Sequence, residues 1–153
     1  IYYKYYKVSD KAGNTSYKTR TIYVGTTKER ESLNYILVSI SSQHLWYYKY
    51  GKIVFSSAVV TGLKGKHDTT RGTYSIKYKR RNVYLTGPDY RSFVSYWMPI
   101  NNNGVGLHDA TWRSSFGGTI YKTNGSHGCV NMPYSKAKKL YSMVYAGTKV
   151  IIK

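Results

Sequence analysis

Short stretches of β-branched and aromatic residues, separated by glycine-, asparagine- or lysine-rich turns, dominate the chain after its first thirty or so residues. Such stretches predict strands at 35–40, 43–50, 52–56, 58–62, 73–78, 83–85 and 93–98. Turns recur about every eight to ten residues over the first of them, which is typical of an antiparallel meander. The pattern predicts a mostly β fold: a sandwich or flattened barrel of mixed sheets.

One segment has the periodicity of an amphipathic helix, at residues 134–145. Its apolar positions recur at three-to-four spacing: Ala137, Leu140, Tyr141 and Val144. Pro133 precedes it, Ser135 is the predicted N-cap, and Gly147 lies just past its end. We expect this helix to cap the sheets, and 148–152 to form a closing strand.

The first 25 residues predict a separate hairpin, with turn residues at 9–14 between two β-rich runs. The segment YKVSDKAGNTSYKTRTIYV resembles the last hairpin of a bacterial immunoglobulin-like module. We therefore expect residues 1–25 to be a remnant of an upstream module in a longer product. Polar residues 26–33 are predicted to be a linker, and 34–153 the main domain.

Composition narrows the function classes. The chain has 153 residues, a formal net charge of +18 and 41% hydrophobic residues, which suits a folded basic domain. The basic residues are scattered, and no helix-turn-helix, zinc-finger or RNA-recognition motif accompanies them, so nucleic acid is not the expected partner. Anionic cell-wall polymers or a membrane surface would attract the same charge.

The segment from Gly104 to Pro133 carries the chemistry. It contains the lone cysteine, Cys129, within Ser-His-Gly-Cys-Val-Asn at 126–131, and His108-Asp109 upstream. A thiol becomes a nucleophile when a neighbouring base takes its proton, and histidine does this near neutral pH. The residues lack the spacings typical of zinc sites, so we expect neither a metal nor a cofactor.

These residues resemble the signature of L,D-transpeptidases, the YkuD-type catalytic domains. His108 is followed, after 17 residues (109–125), by a Ser-His-Gly-Cys-hydrophobic-Asn run that matches every fixed position. The resemblance extends over about residues 34–153. It includes 67–74, where Thr70 stands in place of the family's usual proline.

The resemblance implies a role for each catalytic residue. Cys129 would be the nucleophile that attacks a peptidoglycan tetrapeptide stem and releases D-Ala. His108 would be the general base, and Asp109 would supply the group that orients its ring. Backbone amides of His127, Gly128 and Cys129 would form the oxyanion hole.

Ser126 is implied to be a further catalytic residue, one that shapes the site. The residues implied to contact substrate are Asn131, Tyr96, Trp97 and Trp112. The acyl group would pass to an amine of a second stem, giving a 3→3 cross-link, or to water. The same resemblance implies carbapenem inhibitors and an extracellular location, in the cell wall or at the outer face of the membrane.

Two other functions remain open on the residues alone. A cell-wall Cys/His hydrolase would use the same nucleophile and base but would give shortened stems without new dimers. A non-enzymatic cationic wall-binding module would need neither residue, and its binding would weaken steeply with salt.

Overall fold

An isolated hairpin forms the amino-terminal part of the chain in this computed structural model, which describes residues 2–22, 24–26 and 32–153. Strands β1 (Tyr2–Ser9) and β2 (Thr15–Ile22) pair antiparallel along their full length. Asp10 closes the turn by accepting the N–H groups of Ala12 and Asn14 at 2.9 Å each. The relation to an immunoglobulin-like module stays a prediction, and most of the predicted linker, 27–31, lies outside the described residues.

A mixed five-stranded sheet forms one layer of the main domain. Its strands are β3 (Tyr35–Ser39), β4 (His44–Lys49), β5 (Lys52–Ala58), β6 (Gly72–Ser75) and β11 (Lys149–Ile152). They lie in the order β5-β4-β3-β11-β6, in which only β11 and β3 are parallel. The closing strand therefore inserts between an early and a middle strand, which ties the two ends of the domain together.

A mixed four-stranded sheet forms the second layer. Its strands are β7 (Arg80–Thr86), β8 (Arg91–Pro99), β9 (Gly106–Asp109) and β10 (Val130–Met132). Their order is β10-β9-β8-β7, and β10 runs parallel to β9. Strands β7 and β8 form a long hairpin that extends beyond the other two.

Apolar side chains from both sheets share one core. The five-stranded sheet contributes Ile36, Val38, Leu45 and Tyr47, and the four-stranded sheet contributes Met98, Leu107, Val130 and Met132. Helix α1 (Tyr134–Met143) packs on β8 and β9 and buries Ala137 and Leu140. The prediction of a mostly β fold with one capping helix is confirmed, with open sheets in place of the flattened barrel among the described residues.

The ends of helix α1 differ from the prediction. Pro133 is the N-cap and no side chain caps the first turn, so Ser135 lies inside the helix. A proline suits this place because it has no N–H to leave unpaired and its φ is fixed. At the other end, the Lys79 ammonium donates to the carbonyls of Tyr141 and Val144 at 2.8 Å each.

Two segments differ from the predicted strands. Residues 59–62, predicted to be part of a strand, lie beyond the end of β5 at Ala58. In this segment Val60 and Gly62 make isolated bridges to Asn131 and Ser126. Strand β7 begins at Arg80, three residues before the predicted strand at 83–85, with Asn82 at a φ of 55°. Strands β9 and β10 were not predicted, because runs of four and three residues are too short to show a period.

Among the described residues, no helix has the length and apolar character needed to cross a membrane.

Candidate active site

The register of two parallel strands brings His108 and Cys129 to one face of the four-stranded sheet. Asn131 on β10 lies directly beside His108 on β9. Cys129 lies one residue before β10, in the loop that leads into this strand. The thiol and the imidazole, 21 positions apart in sequence, therefore face one cleft, which both line.

His108 is held in one tautomer by its neighbour's backbone. Its Nδ1 lies 2.8 Å from the carbonyl oxygen of Asp109. A carbonyl can only accept, so Nδ1 carries the proton and Nε2 keeps a free lone pair. Burial lowers the pKa of His108, and the bond to the Asp109 carbonyl opposes that shift only in part. The ring is therefore a neutral base at neutral pH.

The Asp109 carboxylate does not contact the imidazole but anchors β9 to β8. Its Oδ1 accepts the backbone N–H groups of Ser95 at 2.9 Å and Tyr96 at 2.7 Å. The residue is almost fully buried. Asp109 thus orients His108 through its carbonyl, as the family resemblance allowed, while its side chain fixes that carbonyl in place.

Cys129 rests as a protonated thiol. Its Sγ donates to the Gly104 carbonyl at 3.3 Å. Burial raises the pKa of the Cys129 thiol to about 11, although a hydrogen bond from the Gly106 N–H partly stabilises the thiolate. A neutral thiol beside a neutral imidazole can react once the proton passes between them, which needs no preformed ion pair.

The loop before Cys129 is braced from within by Ser126. The Ser126 hydroxyl accepts the Gly128 N–H at 3.1 Å and donates to the Cys129 carbonyl at 2.5 Å. Gly128 has a φ of +127°, which a residue with a side chain rarely adopts. Because Ser126 already binds the Gly128 amide, this amide is not free to stabilise an oxyanion, which corrects one of the three predicted donors.

A second segment braces the same loop from outside. Gly62 pairs with Ser126, and the Leu63 N–H donates to the Ser126 carbonyl at 2.9 Å. A Cβ atom at Gly125 would lie 2.4 Å from the Leu63 backbone, so only glycine permits this approach. Residues 60–63 therefore support the loop that carries the nucleophile.

The cleft has a volume of about 650 Å³. Trp112 is 50% exposed and forms part of its wall, with its ring centroid 6.0 Å from that of His108. Asn131 also lines the cleft, and its buried Oδ1 has no hydrogen-bond partner within the described protein. Both residues line the same cleft as His108 and Cys129, and their contact with substrate stays a prediction.

The predicted contacts of Tyr96 and Trp97 with substrate need correction. Tyr96 is 4% exposed and packs on Tyr134, Tyr141 and the Arg81 guanidinium, away from the cleft. Trp97 is 6% exposed and supports His108, with ring centroids 5.8 Å apart. Both are buried because β8 is an interior strand of its sheet, covered by helix α1 on one face.

Three site residues had not been singled out as such. Tyr90, at the tip of the β7–β8 hairpin, lines the cleft and stacks on His127 with ring centroids 4.4 Å apart. His127 in turn lies 5.0 Å from the ring of His67. Thr69, which is buried, bonds the Gly128 carbonyl at 2.8 Å. His67 and Thr69 belong to the motif at 67–74, the signal that could have placed them here.

The described residues contain no group of three or more metal-binding side chains placed to hold an ion.

Comparison with known proteins identifies relatives of this site. The family model of the YkuD L,D-transpeptidase catalytic domain matches residues 33–152. L,D-transpeptidase 2 of Mycobacterium tuberculosis is 33% identical over 89 residues, which are 58% of this chain and 20% of that protein.

Solved structures from Enterococcus faecium are also similar. A variant L,D-transpeptidase crystal structure is 41% identical, with a TM-score of 0.76, over 78% of this chain and 49% of that one. The catalytic domain acylated by ertapenem is 42% identical, with a TM-score of 0.70, over 78% of this chain and 96% of that domain. The chain thus spans about a fifth of the mycobacterial protein and about half of the full enterococcal chain.

Proposed function

The chain belongs to the family of YkuD-type L,D-transpeptidase catalytic domains, and we propose that it catalyses acyl transfer between peptidoglycan stem peptides. The observation that carries the proposal is that Cys129 and a neutral His108 line one cleft, with the His108 Nδ1 fixed at 2.8 Å from the Asp109 carbonyl. This arrangement leaves Nε2 free to take and return a proton.

In the first half-reaction, Cys129 transfers its proton to His108 Nε2 as the sulfur attacks the carbonyl after L-Lys or meso-diaminopimelate. The tetrahedral intermediate would place its negative oxygen against the backbone amides of His127 and Cys129. When it collapses, the C–N bond to the terminal D-Ala breaks, and the leaving amine takes the proton from His108. A thioester on Cys129 and free D-Ala result.

In the second half-reaction, the side-chain amine of an acceptor stem gives a proton to His108 and attacks the thioester. The sulfur leaves and recovers its proton, and a 3→3 cross-link forms. If water takes the place of the amine, the product is a tripeptide stem, which is L,D-carboxypeptidase activity. The half-exposed Trp112 and the cleft of about 650 Å³ supply an open surface for a peptide donor.

The same thiol is proposed to open carbapenem rings. The acylation of the enterococcal domain by ertapenem, at 42% identity, supports this. A β-lactam carbonyl would be attacked as the stem carbonyl is, with the ring nitrogen as the leaving group.

The proposed location is extracellular, in the cell wall or at the outer face of the membrane, because the stem peptides lie there. A net charge of +18 would hold the protein to anionic wall polymers. Cell fractionation with an antibody to the chain tests the location; recovery in the cytosol alone would contradict it.

Intact-mass measurement after incubation with ertapenem tests the activity, with Cys129→Ala as the control. We expect one stoichiometric adduct on the parent protein and none on the variant. Incubation with disaccharide-tetrapeptides should then give D-Ala and 3→3 dimers. A folded parent that forms neither adduct nor product would contradict the proposal, while tripeptides without dimers would indicate water as the acceptor.

A further inference from the structure

A buried hydroxyl outside the catalytic motif connects two distant backbone groups. The Thr69 side chain is 4% exposed. Its Oγ1 accepts the Gly62 N–H at 2.9 Å and donates to the Gly128 carbonyl at 2.8 Å. The Thr69 hydroxyl oxygen thus binds the segment at 60–63, and its proton binds the carbonyl of the peptide that precedes Cys129.

The bond to Gly128 fixes the direction of the Cys129 amide. A trans peptide is planar, so the carbonyl of Gly128 and the N–H of Cys129 point to opposite edges of one rigid unit. When Thr69 holds the carbonyl on the side of residues 62–69, the Cys129 N–H must point the other way. That amide belongs to the nucleophile's own residue, beside the carbonyl that its sulfur would attack.

The other backbone polar groups of Gly128 and Cys129 are occupied. Ser126 binds both the Gly128 N–H and the Cys129 carbonyl, at 3.1 Å and 2.5 Å. The Cys129 N–H is therefore the donor of the Gly128–Cys129 segment that remains for an oxyanion. Its orientation depends on a peptide whose only side-chain contact to the carbonyl, within the described protein, comes from Thr69.

The support behind Thr69 is rigid. A Cβ atom at Gly62 would lie 1.8 Å from the His67 carbonyl and 2.8 Å from the Thr69 amide nitrogen, so these backbones touch directly. A preorganised donor needs little rearrangement when charge develops, and this is the main source of oxyanion stabilisation. Donation to the Gly128 carbonyl also polarises the peptide, which makes the Cys129 N–H a stronger donor.

We propose that Thr69 is a positioning residue for the oxyanion hole, acting through the Gly128 carbonyl on the Cys129 N–H. The inference rests on the proposed acyl transfer and extends it to a residue 60 positions before the nucleophile. Thr69 touches neither substrate nor sulfur. Its removal should weaken stabilisation of the tetrahedral intermediate and leave the reactivity of the thiol unchanged.

Two reactions of the same thiol separate these effects. Ertapenem acylation passes through a tetrahedral oxyanion, whereas alkylation by iodoacetamide displaces iodide at a saturated carbon and forms none. We compare the second-order rate constants of both reactions in the full chain for the parent, Thr69→Val and Thr69→Ser. Thr148→Val is the matched control, because it also removes a buried hydroxyl, one that accepts the Tyr145 N–H at 3.1 Å and does not contact the catalytic loop.

For Thr69→Val, we expect the acylation rate to fall about 10- to 100-fold, somewhat less than when an oxyanion donor is removed outright. Alkylation should stay within about twofold, Thr69→Ser should restore acylation, and Thr148→Val should keep the parent ratio of the two rates. If Thr69→Val does not fold, Thr69→Ala leaves room for a bridging water, and the ratio should still fall about fivefold.

An unchanged ratio in the Thr69→Val and Thr69→Ala variants, or an equal fall in Thr148→Val, would overturn the inference while the proposed function stands. A folded parent that iodoacetamide alkylates but ertapenem does not acylate would overturn the proposed function and this inference together.

Discussion

The Nδ1 atom of His108 and the backbone carbonyl of Asp109 lie 2.8 Å apart, while the Asp109 carboxylate turns to the neighbouring strand. Asp109 therefore acts through two groups, its backbone carbonyl and its carboxylate. Its carbonyl sets the tautomer of the base, and its Oδ1 accepts two N–H groups of β8, which hold that carbonyl still. The Asp109 carboxylate makes no hydrogen bond to the ring, and its charge acts on the ring through space by opposing the lowering of the His108 pKa.

This division predicts an unusual tolerance at Asp109. Asp109→Asn keeps an Oδ1 acceptor for both N–H groups, so ertapenem acylation should fall less than about tenfold. In triads in which a carboxylate binds the imidazole directly, the same change costs about 10⁴-fold. Asp109→Ala leaves two buried N–H groups unpaired and should lower the free energy of unfolding by about 2–4 kcal/mol.

Acylation kinetics and urea denaturation of both Asp109 variants check this prediction. A loss near 10⁴-fold in a stably folded Asp109→Asn protein would mean that the carboxylate itself serves the base.

The pKa shifts of the catalytic pair predict its pH dependence. Burial lowers the pKa of His108, so the imidazole stays neutral, and acylation stays active, below the ordinary histidine value near pH 6.5. Burial raises the pKa of Cys129 to about 11, so the thiolate fraction should increase with pH throughout the neutral and mildly alkaline range.

Iodoacetamide alkylation followed from pH 6 to pH 10 measures that thiolate fraction, with Cys129→Ala as the blank. The rate should rise across the whole range. A plateau near neutral pH would instead reveal a resting thiolate–imidazolium pair, and would contradict the neutral pair described above.

The Ser126 hydroxyl braces the nucleophile loop and does not face an attacking group. Ser126→Ala removes its bonds to the Gly128 N–H and the Cys129 carbonyl. We expect about 2 kcal/mol lower stability and roughly tenfold slower acylation, with the pH profile of acylation unchanged. A shifted profile would show that Ser126 takes part in proton transfer, which the family resemblance left open by placing it in the site.

His108 and Cys129 could be predicted from the sequence because the motif's spacing of reactive residues and glycines can be recognised in a single chain. Trp112 could be predicted to lie near the site because it follows His108 closely in the sequence. The helix was predictable because ten residues hold almost three turns of an amphipathic period.

The other features of the site depend on contacts between residues that are far apart in the sequence. The sequence does not show whether Tyr96 and Trp97 are buried or line a groove. The place of their strand in the sheet depends on pairing with strands that are distant in sequence. Nor could the bonds of Thr69 be foreseen, since they join residues 59 positions apart. Nor could the sequence show which group of Asp109 orients His108, because the backbone N–H groups that bind its carboxylate lie on another strand.

Gly62 offers a last test, of how the loop at 62–72 reaches the nucleophile. Its missing side chain, not an unusual φ, is what the fold requires, since a Cβ atom would lie 1.8 Å from the His67 carbonyl. Gly62→Ala must push residues 67–69 away and should lower the free energy of unfolding by about 3 kcal/mol, judged from overpacked cores. Acylation should fall as well, because Thr69 moves with the displaced backbone.

Gly65→Ala is the matched control in the same loop: a Cβ atom there would meet open space, and the φ of Gly65 is +76°, so only backbone strain of about 1 kcal/mol applies. Urea denaturation of both variants measures the difference, and equal losses would mean that the close contact at Gly62 is relieved without cost and does not set the position of Thr69.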